Sequence, residues 1–333
     1  MAYEIYQKLG GTYVPLKLTT DERLSNVEAT CLDFTNNGVK HSAQSLTPEQ
    51  QAQARANIGA IAISDIQKDT MPNNGTAANH NGIFRGNDLI AEFGSIDALS
   101  TEVRAGDFSN IYIGDYFDTT INTSYGGSEQ IRLVVAGIDT YWHVGDQGNG
   151  VETHHLTMIT KDCFKTKHVM NPTDTSVGGY KVTEMHTKTL PVYATAIKNA
   201  IGASHILNHR EEISNSMNQD IASMAGNGWM GATNGCEWVS TDLVLPSEVQ
   251  VYGSTVLSSS FYDVENRNRQ LPYFALAQDS LVCGLGYGGP RCYWWLSAVT
   301  SKAAFAVVAD NGGAVDAVAS GTWVAVRPLL LFA

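Results

Sequence analysis

The C-terminal stretch constrains this chain most. "YWWLSAVTSKAAFAVVADNGGAVDAVASGTWVAVRPLLLF", Tyr293 to Phe332, opens on two tryptophans and closes on an apolar run. Between these anchors lie mostly Ala, Val, Gly, Ser, Asp and Thr. Large apolar groups at the two ends bury area and fix a segment in place. The small middle, interrupted by "DNGG" at Asp310 to Gly313, reads as strand-like pieces split by a tight β-turn. One account of it is a small-residue β-rich core.

At 333 residues the chain has room for about two domains of ~150 residues each. Its 43% hydrophobic content is ordinary for a globular protein and allows a sizeable core. The net charge of -12, with no Lys/Arg cluster, excludes a nucleic-acid binder, which needs a basic face. No apolar run approaches the ~18 residues of a membrane span, so no membrane insertion is expected. "MAYEIYQKLGG" lacks the apolar region of a signal peptide. Cys31, Cys163, Cys236, Cys283 and Cys292 are scattered and odd in number, as in a protein folded in reducing cytosol. A Cys283–Cys292 bridge is left open.

"TYVPLKLT" alternates like a half-buried strand, with Pro15 confining it to an edge. In "SLTPEQQAQARANIGA", Thr47 is an N-cap, Pro48 suits the first helical position, Gln50 completes a capping box and Gly59 is a stop. So short a helix, carrying Ala52, Ala54, Ala56 and Ile58, needs neighbours to be stable. Copies around a symmetry axis would supply them. Residues 64 to 90 read as a linker. Ile96, Leu99 and Val103 fall at helical spacing between a Ser95 cap and Gly106. Ile111 and Ile113 alternate with Tyr112 as in a strand. Further strands are expected in "IRLVVAGIDTYWHV" and "HHLTMIT", and a helix in "TLPVYATAIKNAIGA" ending at Gly202. "STDLVLPSEVQVYG" reads as a strand, a turn at Pro246 and a short segment. The pattern is α+β, in three parts: 1–60, an attachment and oligomerisation region with a short helix and some β structure; 61–105, a linker and connecting helix; and 106–333, a larger mixed domain.

No catalytic constellation stands out. His154 and His155 are adjacent, so on a strand they point to opposite faces and cannot share one ion. His143 and His168 add no spaced cluster, and no metal or cofactor is expected. Asp115, Asp118, Asp139, Asp146, Glu152, Glu211, Glu212, Glu237 and Asp242 supply carboxylates, but no separation between any two is readable. There is no G-x-S-x-G elbow and no P-loop. "GLGYGG" at 284 to 289 lacks the strand and helix that would make it a nucleotide loop.

"LTPEQQAQARANIGA" closely resembles a helical segment common in bacteriophage tail fibres and receptor-binding proteins. "IFRGNDL…STEVRAGDFSNIYIGDYF", "HHLTMITKDCF", "MNPTDTSVGGY", "ASHILNHREEISN", "LVLPSEVQVYG" and "YWWLSAV…VAVRPLLLF" extend a resemblance to phage tail proteins over most of residues 45 to 333. The resemblance implies a C-type-lectin-like fold for residues 106–333. It is also similar to the variable proteins of diversity-generating retroelements, in which adenine-directed mutagenesis rewrites codons of a ligand-binding face.

On that resemblance the expected function is host adhesion, without catalysis, by a receptor-binding protein at the tail tip of a virion. The implied partners are a bacterial cell-surface receptor, protein or glycan, other phage tail proteins, and two further copies in a homotrimer. Trp294, Trp295, Leu296 and the run from Val326 to Phe332 become scaffold, the last as a closing strand. Phe305, Val308 and Ala314 are expected to face inward. Ala304, Val307, Ala309, Asp310, Asn311, Asp316, Ala317, Val318 and Thr322 are expected to face outward and vary. Most of these residue types are reachable from an asparagine codon by changing adenines, whereas Lys302 and Trp323 are not. Ala and Val rarely anchor an interface, so Tyr287, Arg291, Tyr293 and Trp323 are the expected energetic anchors. The Glu-Pro-Asn and Trp-Asn-Asp triplets of calcium-dependent lectins are missing. Two other functions remain open: a tail-associated glycan depolymerase, and a purely structural baseplate or collar component.

Overall fold

A computed structural model describes residues 6–9, 12–15, 47, 49–50, 80–146, 148, 150–214, 236–258 and 270–333. The chain divides into two compact units, Met1–Ile66 and Gln67–Ala333. In the first, β1 (Tyr6–Leu9) and β2 (Thr12–Pro15) form an antiparallel pair, with Pro15 opposite Tyr6 at its end. In a two-stranded ribbon both strands are edges, which is where proline is tolerated. The capping box is present: Thr47 N–H donates to Gln50 Oε1 at 3.0 Å and Gln50 N–H to Thr47 Oγ1 at 3.3 Å. Ala52 to Gly59 lie outside the described residues.

The second unit is mixed α+β. It opens with α1 (Leu89–Phe93) and α2 (Ile96–Ala105). Ser95 caps α2 through a 3.1 Å bond from Ala98 N–H, and Gly106 ends it at φ 72°, a left-handed conformation that glycine adopts without penalty. The described part of 61–105, expected as linker and connecting helix, is built into this unit. Leu89, Leu99 and Val103 are fully buried in its core. Asp115, also fully buried, accepts from Arg85 Nη2 at 2.7 Å and from the N–H groups of Gly86, Asn87 and Tyr112. A carboxylate with that many donors fixes the segment from residue 85 to 88 against the chain at 112 to 115. Ile111 and Ile113 are both buried, but the expected strand there is a turn-rich stretch, and regular pairing begins only at Tyr116.

The main sheet follows. β3 (Tyr116–Thr123) pairs with β4 (Gly127–Ile138), and β4 with β5 (Leu156–Thr160). Helix α3 (Leu190–Ile201) packs on β3, starting with Pro191 in its first turn and ending at Gly202. Then come β6 (Ile206–Leu207), β7 (His209–Ser214), β8 (Cys236–Thr241), β9 (Leu243–Val244), α4 (Glu248–Tyr252) and α5 (Pro272–Leu276). The remaining strands are β10 (Cys283–Gly284), β11 (Arg291–Cys292), β12 (Trp294–Val299), β13 (Ala304–Val308), β14 (Ala314–Val318) and β15 (Leu329–Phe332). β15 occupies the last four residues of the run from Val326 to Phe332, expected as a closing strand. It enters between β5 and β6, giving the order β3-β4-β5-β15-β6, and also pairs with β9. All four of its residues are buried, as an interior strand with an unbroken apolar run should be. β12, β13 and β14 form a separate three-stranded antiparallel sheet.

Candidate functional site

The frame of the site is this three-stranded sheet. Every residue of β12 and β13 is buried. Trp294 and Trp295 are neighbours on β12 and face opposite sides. Each buried indole N–H finds a carbonyl: Trp294 Nε1 donates to Leu281 at 3.0 Å, Trp295 Nε1 to His168 at 2.8 Å. These bonds fix both rings and satisfy the polar handle that a buried tryptophan carries.

The outward assignment of Ala304, Val307 and Ala309 is corrected: all three are buried. β13 is the central strand, flanked by β12 and β14, and both its faces are covered. Ala317 is corrected too. Three consecutive strand residues cannot share a face, and Ala317, opposite Phe305, turns inward while Asp316 and Val318 turn out. Ala314, expected inward, is half-exposed. Phe305 and Val308 are fully buried, as expected.

The exposed members fall into groups. Val318, Thr322 and Trp323 are exposed beside the turn from Val318 to Gly321, which Gly321 N–H closes on the Val318 carbonyl at 2.9 Å. Ser320 N–H donates to Asp174 Oδ1 at 3.0 Å and pins that turn. Trp323, 43% exposed, meets the Tyr293 ring edge-on at 4.9 Å. Half-exposed Asp310 and exposed Asn311 occupy the β13–β14 turn, at the other end of the hairpin. Five residues at ~3.3 Å each separate the two ends by roughly 13 Å or more. The structure therefore joins Tyr293 to Trp323, and sets Val318 at the opposite end of the hairpin from Asp310 and Asn311.

Tyr287 stands on the hairpin between β10 and β11, 45% exposed, with Arg291 exposed at the base. The sequence alone did not reveal its partners. Arg132 Nη2 donates to the Tyr287 hydroxyl at 3.0 Å, lies 3.5 Å over the Tyr116 ring and grips Asp118 with bonds of 2.7 and 2.8 Å. The paired Asp118 raises the Arg132 pKa further, so the guanidinium is a permanent charge. Tyr125, edge-on to His168 at 4.4 Å, is a second contributor not readable in advance. Segment 163–168 runs between these groups: Gly286 N–H bonds the Cys163 carbonyl, Phe164 N–H bonds Val326 and His168 N–H bonds Val324. Arg132 and Tyr287 lie 155 positions apart, beyond any spacing rule.

The adjacent histidines lie just before β5 and not on a strand, so the expected opposite-face placement does not apply. His155 is fully buried and His154 is partly open, yet both engage Asp139: His154 Nδ1 at 2.6 Å from Oδ2, and His155 through its backbone N–H at 2.8 Å from Oδ1. Burial holds the His155 pKa below its ordinary value. Its ring is bonded between Thr153 and Tyr141, a structural role. Two cavities are described, about 470 Å³ beside Lys181, His186, Lys198 and Asp242, and about 580 Å³ beside Glu152, Thr153, His209 and Arg210. Each is lined by a single carboxylate, and Asp242 is paired with Lys198 at 2.6 Å.

Among the described residues, one group of His, Cys, Asp and Glu side chains is close enough to share a cation: Cys163, Cys283 and Cys292. Burial raises the Cys283 thiol, but hydrogen bonds from the Cys163 and Cys292 thiols and the charge of Arg327 outweigh it and bring Cys283 down to about 4. Burial pushes Cys163 up well above the ordinary thiol value.

Compared with protein-family profiles, curated proteins and solved structures, the chain matches none.

Proposed function

We propose that this chain is a phage tail-tip receptor-binding protein that adheres to a bacterial surface without catalysis, and that its second unit is C-type-lectin-like. The observation that carries the reading is the pairing of a fully buried frame with exposed aromatic anchors: Trp323 against Tyr293, and Tyr287 against Arg132. Tyr, Trp and Arg are the residues most enriched at binding hot spots. Around Trp323 stand Val318 and Thr322, with Asp316 exposed on the same strand as Val318, small or short side chains that tolerate replacement. The family resemblance supplies the partner class and the adenine-directed diversification of these codons. A homotrimer would place three such faces on one body and raise avidity by ~10²–10⁴ without new contacts.

A glycan depolymerase of the usual two-carboxylate kind needs acids roughly 5–9 Å apart in a cleft. Neither described cavity is lined by two. A structural collar role would need the Trp323 face covered in the virion.

The test is adhesion of the labelled full chain to a panel of bacterial cells. Saturable binding to some hosts, lost in Trp323→Ala and Tyr287→Ala while the melting temperature holds, is expected. Unchanged adhesion in both variants, or release of reducing ends from surface glycan, would overturn it.

A further inference from the structure

Three of the five cysteines meet in the fold. Cys283 and Cys292 sit opposite each other across the β10–β11 ladder. Cys163 arrives on a separate segment, its N–H bonded to the Gly284 carbonyl at 2.9 Å. The Cys163 and Cys283 sulfurs are 2.7 Å apart, and all three Sγ atoms lie within 4.8 Å of one another. All three side chains are buried.

Arg327 is the second observation. It is fully buried, with Nε donating to the Thr160 carbonyl at 2.8 Å and Nη1 to the Ser280 carbonyl at 2.6 Å. It thus ties the chain just before Cys163 to the chain just before Cys283. Against it also stand the Tyr273 hydroxyl and the rings of Phe274 and Trp294, and the charge of Asp162 reaches both Tyr273 and Cys283, that of Asp279 reaching Tyr273. Among the described residues, no ion pair includes it. A buried cation needs a counter-charge nearby. The Cys283 sulfur lies within reach of its field.

We propose that Cys163, Cys283 and Cys292 form a three-thiolate site for a divalent thiophilic cation, for which Zn²⁺ is the natural probe. The three-sulfur donor set suits a borderline-soft divalent ion. Zn²⁺ with three thiolates carries one net negative charge, which Arg327 offsets. A Cys163–Cys283 disulfide would remove the thiolate beside the guanidinium. Binding releases to solvent the protons still held on sulfur, so occupancy rises with pH. Zn–S bonds of ~2.3 Å place tetrahedral sulfurs ~3.8 Å apart, so Cys163 and Cys283 separate by roughly 1 Å on binding. Water completes the fourth position. The ion clips the hairpin that carries Tyr287 to segment 163–168.

The test uses the full chain in a Cys31→Ser, Cys236→Ser background, purified reduced and stripped with a chelator. Titration with Co²⁺ reports thiolate coordination by its near-ultraviolet charge-transfer bands, and Zn²⁺ displaces it. One equivalent per chain is expected. Cys292→Ser should weaken binding by more than ~100-fold, beyond the 10–100-fold typical of losing only a supporting residue. Zinc-edge absorption on the unmutated chain, expected to show three sulfurs at ~2.3 Å, reads the site even where that variant fails to fold. Absence of Co²⁺ bands from the reduced chain, or a Cys163–Cys283 disulfide in the chain as isolated, overturns the proposal.

Discussion

β13 and β14 are two five-residue strands of nearly the same composition, paired residue for residue, with opposite fates. "AFAVV" is buried throughout, whereas "AVDAV" buries only Ala317 and exposes Asp316 and Val318. The difference lies in sheet position. β13 has a partner on each side and is covered on both faces; β14 is the edge. Small side chains record neither fact. A strand's neighbours, rather than its own residues, decide whether it is frame or surface.

The sharpest way to break this comparison is to put one charge on each strand. Val307→Asp places an unpaired carboxylate in a fully buried position and should lower stability by ~4–5 kcal/mol, near the whole stability of a marginal domain. Val318→Asp on the exposed edge should stay within ~0.5 kcal/mol. Urea midpoints measure both, and equal losses would erase the distinction. A second pair compares tryptophans. Trp294→Ala should cost ~3–5 kcal/mol of stability, since it empties a fully buried site. Trp323→Ala should leave folding nearly intact and weaken host binding by ~30-fold or more, as for a hot spot worth ~2 kcal/mol.

A finer contrast lies within β14. Ala317→Leu overfills the position opposite Phe305 and should cost ~1–3 kcal/mol, whereas Asp316→Ala should be close to neutral. The smallest effect is one of pH. His155, His168 and His186 all have pKa values lowered, chiefly by burial. The unfolded chain therefore binds protons first. Stability should be full above ~6.5 and decline as pH falls below it, levelling off beneath the folded values. Urea midpoints between pH 8 and 5 test the sign; a midpoint that rises toward pH 5 contradicts it.

Local chemistry was legible in the sequence and sheet order was not. Ser95 and Gly106 bound α2, Gly202 ends α3, and Thr47 with Gln50 forms its capping box, because caps depend on residues a few positions apart. The run from Val326 to Phe332 reads as a closing strand, but its place between β5 and β6 comes only from the fold. Periodicity did not separate β13 from β14, since Ala and Val suit both a covered and an open face. Arg132 under Tyr287, and Cys163 beside Cys283, are juxtapositions across 155 and 120 positions that only the fold creates. The same holds for residues 80 to 90, whose polar turns read as a linker although Asp115 accepts from the N–H groups of Gly86 and Asn87.

The most direct measurement is on the gene. Sequencing this locus and its downstream DNA in many isolates would show where the segment from codon 287 to 328 varies. The account predicts substitutions at the exposed codons for Asp316, Val318 and Thr322, matching adenines of a nearby template copy beside a reverse transcriptase. Codons for the buried Trp294, Val307 and Ala317 should stay fixed. Variation spread evenly over buried and exposed codons, or an invariant segment with no template, would contradict a diversified binding face.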